Sequence, residues 1–479
     1  MASLLFVIEG CTVGPDYTPP SPNAPADWNA ELPPSLRRDS ATLSRWWTNF
    51  NDPQLTDLIS HAVQGNLGLR QAQERIYEAR AQRAIASSGR FPTLSASGSA
   101  MRQEFSENSV YSGLTDSFYA AGFDASWELD LFGRIQRQVE ASEAIVAASE
   151  EDYRNALVTL IAEVALNYVE MRSYQVRLGL LEATSASQEK TLELVQANYE
   201  GGEVSRLDLE QAATNLEITR SRIPMIQAAL EQSKNRLAVL CGLHPGALED
   251  ELATRTDIPV PPPSLAIGVP AEALRRRPDV RRAERELAAQ TAEIGVATAD
   301  LYPRFTLLGS IGLESMGSAD LFSVASRVSG IGPSMQWIAF DAGRVRANID
   351  VQTSRQAQAL LAYEATVLLA LREVEDAIVA FAKEQIRHDS LVRAEAAARQ
   401  SLEIARDRYT MGESSYLVVL DAERSLFSIQ DQLAESRARM TSFAISLYKA
   451  LGGGWSALAP LSTATESDDT PSTQEAIPQ

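Results

Sequence analysis

Two segments of roughly 65 residues each, about 134–199 and 344–409, carry helical periodicity without a single proline. At about 1.5 Å per residue each would form a rod of about 100 Å, which cannot fold inside a globule. Both rods start from the same kind of stretch: Trp127-Glu128-Leu129-Asp130-Leu131-Phe132-Gly133-Arg134 and Trp337-Ile338-Ala339-Phe340-Asp341-Ala342-Gly343-Arg344. Trp337 follows Trp127 by 210 residues, and the same offset relates Gly133 to Gly343, Glu163 to Glu373, Tyr199 to Tyr409, Gly202 to Gly412 and Leu216 to Leu426. A constant offset over so long a span marks a tandem duplication of one structural unit.

Each rod reaches a glycine-bearing tip, Tyr199-Glu200-Gly201-Gly202-Glu203-Val204-Ser205 or Tyr409-Thr410-Met411-Gly412-Glu413-Ser414-Ser415, and a shorter helix returns from it. The spacing predicts return helices over Leu207 to Leu240, bent at Pro224, and over Leu417 to Leu451. Two long antiparallel hairpins with coiled-coil-like packing result, 134–241 and 344–451.

Ahead of each Trp the hydrophobic period changes from helical to two. In the first repeat Leu94, Ala96, Gly98 and Ala100 alternate with serines and a threonine. After a polar loop, Ala121, Phe123, Ala125, Trp127 and Leu129 then oppose Asp124, Glu128 and Asp130. The second repeat offers Phe305 to Leu313, a loop from Ser315 to Ser326, and Ile331, Pro333, Met335 and Trp337 against Gly332, Ser334 and Gln336. Hairpins over 91–131 and 303–341 follow. A soluble sandwich would bury their apolar face, whereas a membrane barrel would turn it to lipid. Each run is about ten residues, near what a tilted strand needs to cross a bilayer. Four strands cannot close a barrel and open edges are not tolerated in lipid, so transmembrane strands require oligomerisation. Three protomers with about four strands each would give a barrel of twelve. Strand pattern alone leaves sandwich and barrel open; the rods favour the barrel.

The remaining chain frames these pieces. Residues 1–11 end in Gly10-Cys11 after an apolar run, as a lipoprotein signal does, although the run carries Glu9 and no preceding Lys or Arg. Acylation of Cys11 and an incidental cysteine are both open on those residues. Residues 12–50 hold seven prolines, Pro15, Pro19, Pro20, Pro22, Pro25, Pro33 and Pro34, and read as an extended arm that Trp28, Trp46, Trp47 and Phe50 anchor to the body. Repeat one spans 51–262 and starts with a helix pair from Asp52-Pro53, broken at Gly65-Asn66; repeat two spans 263–452; the polar tail 453–479 is expected to be disordered. The net charge of −20 disfavours nucleic acid as a partner. Three scattered histidines and two cysteines offer no metal site, no nucleophile–base set or phosphate loop appears, and no apolar run of about eighteen residues or more marks a spanning helix. Cys241, at a helix end, reads as a packing residue.

Five motifs in order, Cys11-Thr12-Val13-Gly14-Pro15-Asp16-Tyr17, Trp46-Trp47 with Asp52-Pro53-Gln54-Leu55, the Trp127 to Arg134 stretch, Arg277-Pro278-Asp279-Val280 with Ala283-Glu284, and Tyr416-Leu417-Val418-Val419-Leu420-Asp421-Ala422, carry a resemblance. The chain resembles the TolC superfamily of outer-membrane efflux proteins, in particular the OprM-like, NodT-type lipoproteins that serve resistance-nodulation-division pumps. The resemblance implies a mixed α and β membrane protein: a homotrimer whose twelve-stranded outer-membrane β-barrel continues into a periplasmic α-helical barrel, lipid-anchored at Cys11. It implies no enzymatic activity and no cofactor beyond that lipid. Its partners would be a periplasmic adaptor, an inner-membrane pump and outer-membrane lipid, and its cargo small molecules.

Gating and adaptor docking map onto the tips, at Glu203, Ser205, Arg206, Leu207 and Asp208 and at Glu413, Ser415, Tyr416, Leu417, Asp421 and Arg424. Arg206 and Arg424 are candidates to pair with tip carboxylates. One departure stands out: the OprM-like pattern has an acid two places after the tip glycine, where this chain has Ser414 with Glu413 beside it. In a threefold assembly each carboxylate becomes a ring of three, which makes Asp124, Glu128 and Asp130 candidates to line the lumen. Trp127 and Trp337 are expected at the membrane–water interface of the periplasmic rim. A TolC-like protein-secretion channel and a coiled-coil protein with a soluble β domain are the alternatives.

Overall fold

The computed structural model describes residues 12–457 except 23, 40–42, 105 and 109–114. Cys11 and the tail from 458 therefore lie outside the described residues. In chain order the elements are β1 (Leu36–Arg37), a 3-10 turn (Trp46–Phe50), α1 (Pro53–Gly65), α2 (Leu67–Ser88), β2 (Thr93–Glu104), β3 (Thr115–Leu129), α3 (Arg134–Glu200), α4 (Arg206–Leu240), α5 (Glu249–Leu252), β4 (Leu265–Ala266), α6 (Pro270–Arg276), α7 (Pro278–Ala299), β5 (Arg304–Ser315), β6 (Arg327–Gln336), α8 (Arg344–Thr410) and α9 (Tyr416–Ala450). Both rods are unbroken helices of 67 residues, and both return helices have 35. Pro224 is accommodated inside α4.

The four long strands form one antiparallel sheet in the order β2-β3-β5-β6. Every residue of β2 is exposed, as is nearly every residue of β6, so the sheet has no buried face and no soluble core. That removes the sandwich. Facing apolar residues such as Phe123, Ile311 and Ile331 stand on one side and Asp124, Ser310 and Ser334 on the other, by the pairing of Phe123 with Ile311 and of Asp124 with Ser310. The strands β2 and β5 start 211 residues apart, one more than the offset that relates the two tryptophans.

The core lies mid-length along the rods, where α1, the 3-10 turn, the ends of α4 and α9, and the segment 258–273 surround α3. Trp46 stacks on Tyr448 at 5.1 Å and meets Trp47 and Phe50 edge-on. Arg172, fully buried, donates to Gln175, to the Thr254 carbonyl, to Gln54 and to Tyr168, whose hydroxyl bonds Asp52 at 2.8 Å. Arg277 of the Arg-Pro-Asp motif binds Asp279 and Glu373 and donates to the Ala450 carbonyl at the end of α9, at 2.8 Å. Cys241 is buried against the Leu58 carbonyl, and burial pushes its thiol up to about 11. The arm contributes a strand the prolines conceal, β1, parallel to β4. The chain also stays packed beyond residue 452: Trp455 sits over Arg154 and Arg281 and donates to the Arg276 carbonyl, so the tail does not start at 453.

Candidate functional site

Two regions carry the residues singled out by the sequence, the strand-to-helix junctions and the helix tips. At each junction a glycine in the left-handed region, Gly133 at φ +75° and Gly343 at φ +88°, caps the rod and turns the chain out of the sheet. Both indoles tie the end of their hairpin to the end of the preceding helix: Trp127 Nε1 donates to the Arg90 carbonyl at 3.0 Å and Trp337 Nε1 to that of Leu301 at 3.1 Å. Neither ring is in a core. Trp337 lies one residue past β6, whereas Trp127 is within β3.

The three acids assigned to the lumen separate here. Asp124 stays exposed on the sheet and accepts from Ser97 Oγ at 3.3 Å. Glu128 is paired with Arg134 through two bonds of 3.0 and 2.8 Å. Asp130 lies beyond the end of β3, because the strand stops at Leu129, and its carboxylate accepts the Gln136 N–H at 2.8 Å in the first turn of α3. The second junction uses Asp341 for the same purpose: it accepts from the Gly343 and Val345 N–H groups at 2.9 Å each, and the Val345 bond leads the effects that hold its carboxyl below the usual range.

At the tips both rods end in the same motif. Gly202 and Gly412, at φ +77° and +76°, let the next N–H fold back: Glu203 N donates to the Asn198 carbonyl and Glu413 N to that of Arg408, each at 2.8 Å. The return helices then start differently. Ser205 and Asp208 form a capping box, with Ser205 Oγ accepting the Asp208 N–H at 3.3 Å and Asp208 accepting the Ser205 N–H at 3.1 Å. Ser415 makes no side-chain cap, and with Val418 where Asp208 stands there is no carboxylate to reach back to the Ser415 N–H.

Glu203 and Asp421 are exposed and form no ion pair among the described residues; Glu413 lies 3.7 Å from Arg408, exposed. Arg206 pairs with Glu210 along its own helix at 3.4 Å and Arg424 donates to the Asn215 side chain at 3.0 Å, so within the protomer neither reaches a tip carboxylate of the set expected. Leu207 and Leu417 are exposed, while Tyr416 is buried beside Tyr409, and burial raises its hydroxyl above the ordinary tyrosine range.

Sequence reasoning missed the polar layer behind the tips. Arg406 binds Glu423 at 2.8 Å and Ser187 at 3.0 Å, beside a cavity of about 350 Å³ lined by Gln188, Arg399 and Gln430. The counterparts of Arg406 and Glu423 in the first repeat are Gln196 and Ala213, so the repeat gave no signal for them.

The family described as outer membrane efflux protein matches residues 58–243 and 269–453, the two repeats in turn. The chain belongs to the outer membrane efflux protein family. It is 33% identical to nodulation protein T of Rhizobium leguminosarum bv. trifolii over 95% of this chain and 97% of that one. It is 33% identical to the cation efflux system protein CusC of Escherichia coli O6:H1 over 94% and 97%. Among solved structures, the outer-membrane channel OprN superimposes with a TM-score of 0.88 at 38% identity, covering 93% of this chain and all of that one. The structure of CusC gives 0.81 at 31% identity, covering 93% of this chain and 100% of that one. This family member is accordingly a protomer of an outer-membrane channel, its sheet contributing to the barrel and its rods to the helical tunnel. It acts in efflux as a transport duct and not as an enzyme.

Proposed function

We propose that three copies of the chain form the exit duct of a tripartite efflux system, passing small molecules from an inner-membrane resistance-nodulation-division pump and a periplasmic adaptor across the outer membrane. The observation that carries this reading is the four-stranded sheet, exposed on both faces and open at both edges, running directly into two 67-residue rods. Three such sheets close twelve strands, and a barrel of that size encloses an interior too wide for side chains to fill. The names of the relatives support the assignment: CusC is a cation efflux protein and a 33% identical relative from Pseudomonas putida belongs to a toluene efflux pump.

The gate in this reading lies at the tips, where Glu413 and Asp421 would form rings of three and the exposed Leu207 and Leu417 would meet the adaptor. Rings of carboxylates at a constriction favour cations. The test is conductance in planar bilayers of the purified channel and of Glu413→Ala/Asp421→Ala. Expected is a cation-preferring conductance in the parent and a reduced preference in the double variant. A parent that never conducts overturns the duct; unchanged preference overturns the tip assignment.

A further inference from the structure

We infer that residues 12–17 are a strap that locks the first strand-to-helix junction, that Arg137 positions it, and that the second junction is left unlocked. The strap touches the junction turn and two helices. Val13 N donates to the Phe132 carbonyl at 3.2 Å, directly ahead of the Gly133 turn. Tyr17 reaches α7, its hydroxyl donating to the Glu284 carbonyl at 3.4 Å. Between them Arg137 of α3, only 4% exposed, donates through Nε to the Val13 carbonyl at 3.1 Å and through Nη2 to the Gly14 carbonyl at 3.4 Å and to Asp16 at 2.7 Å. Its remaining partner is Glu140 at 2.8 Å. Lifting the strap would strip a buried guanidinium of three of its four acceptors, and a buried charge left underpaired is costly.

The fit is close enough to be specific. Gly14 adopts φ +90°, and a Cβ there would stand 2.4 Å from the Gly295 Cα of α7. A Cβ on Gly295 would stand 2.7 Å from Arg137 Cγ, and one on Gly133 would stand 2.7 Å from Thr12 Cγ2. Strap, α3 and α7 thus interlock through three glycines. About twenty residues into α3 and near the start of α7, Trp455 packs against Arg154 and Arg281, its ring 5.4 and 5.5 Å from the guanidinium carbons, so both described ends of the chain bind the seam between the repeats.

Among the described residues the second junction has no such strap. Ala347 occupies the place of Arg137 one repeat later, and nothing lies within 4 Å of a Cβ built on Gly343. Phe340 beside it is 88% exposed. Both exits from the sheet have their indole tie and aspartate contact, but the strap is added at only one of them, and movement of the tunnel against the barrel is expected to start at Gly343.

Hydrogen exchange read by mass spectrometry on the assembled, full-length channel tests this. Amides of 134–140 should exchange at least about tenfold more slowly than those of 344–350, the factor that charge-assisted bonds of this number support. Arg137→Ala and Gly14→Ala should each raise exchange in 134–140 to the level of 344–350, which itself stays unchanged, and Arg137→Lys should fall between. Gly14→Ala discriminates, because its Cβ would meet the Gly295 backbone and dislodge the strap while every side chain of α3 is kept. Without a strap function that variant would leave 134–140 as it was. Equal exchange at the two junctions of the parent, or unchanged 134–140 in Gly14→Ala, overturns the inference even if Arg137→Ala fails to assemble.

Discussion

Ser205 and Ser415 hold the same place in the repeat, one residue ahead of a return helix, yet only Ser205 accepts a cap bond from its own helix. The loss of an N-cap acceptor costs about 1 kcal/mol. Ser205→Ala should therefore speed amide exchange in the first turn of α4 by roughly fivefold, the equivalent of that energy, whereas Ser415→Ala should leave the first turn of α9 nearly unchanged. Equal effects at the two tips would show that the capping box does not hold α4. Asp341 offers a pH handle at the same scale. Its folded pKa is lowered by the Val345 and Gly343 N–H groups, so its contribution is complete above the ordinary aspartate value of about 4 and is lost as pH falls through the lower folded value. Exchange in the first turn of α8 should rise on acidification below about pH 4 relative to the intrinsic rate, and Asp341→Asn should abolish that dependence. A parent with no such rise sinks the assignment.

At the scale of elements, the junction glycines carry the change of direction between sheet and rod. An alanine in the left-handed region costs about 1–2 kcal/mol. Gly343→Ala should lower the heat stability of the assembled channel by that strain alone, while Gly133→Ala adds a clash with Thr12 and should lower it further; thermal dissociation followed on a gel ranks the two, and the reverse order contradicts the geometry. Much of this level was legible in the sequence, because periodicity and glycine punctuation are local signals. The rods, the tip turns at Gly202 and Gly412 and both hairpins follow from them. What was not legible depends on groups distant in the chain or unpaired between repeats. Asp130 read as a strand residue because alternation was carried one position past Leu129; the strand stops there and its carboxylate accepts the Gln136 N–H. β1 was hidden by the prolines around it, since its partner β4 is more than two hundred residues away. The Arg406–Glu423 pair has no echo in the first repeat, so duplication could not point to it.

For the whole molecule the decisive feature is incompleteness. The edges β2 and β6 of the sheet leave rows of backbone donors and acceptors without strand partners, which is untenable in a bilayer. No sequence pattern shows which strand completes which edge, but the topology does: β6 of one protomer must pair with β2 of the next. Within a protomer those strands are separated by β3 and β5, hence by about 14 Å at the usual strand spacing. A disulfide needs Cα atoms within about 7 Å, so any bridge between β2 and β6 must join two chains. Register across the interface is the free variable, and it can be scanned on one face. Ser95, Ser97 and Ser99 alternate on the side of β2 that carries Asp124, and Ser334 lies on the same side of β6 through its pairing with Thr306 and that of Thr306 with Glu128. Cysteine at Ser334 combined in turn with cysteine at Ser95, Ser97 or Ser99 should, for at least one combination, give covalent dimers and trimers on a non-reducing gel, while the parent chain runs as a monomer. A closed ring of three stops the ladder at three. Species beyond three would mean an open or larger assembly, and no bridge at any register would mean that β2 and β6 do not meet.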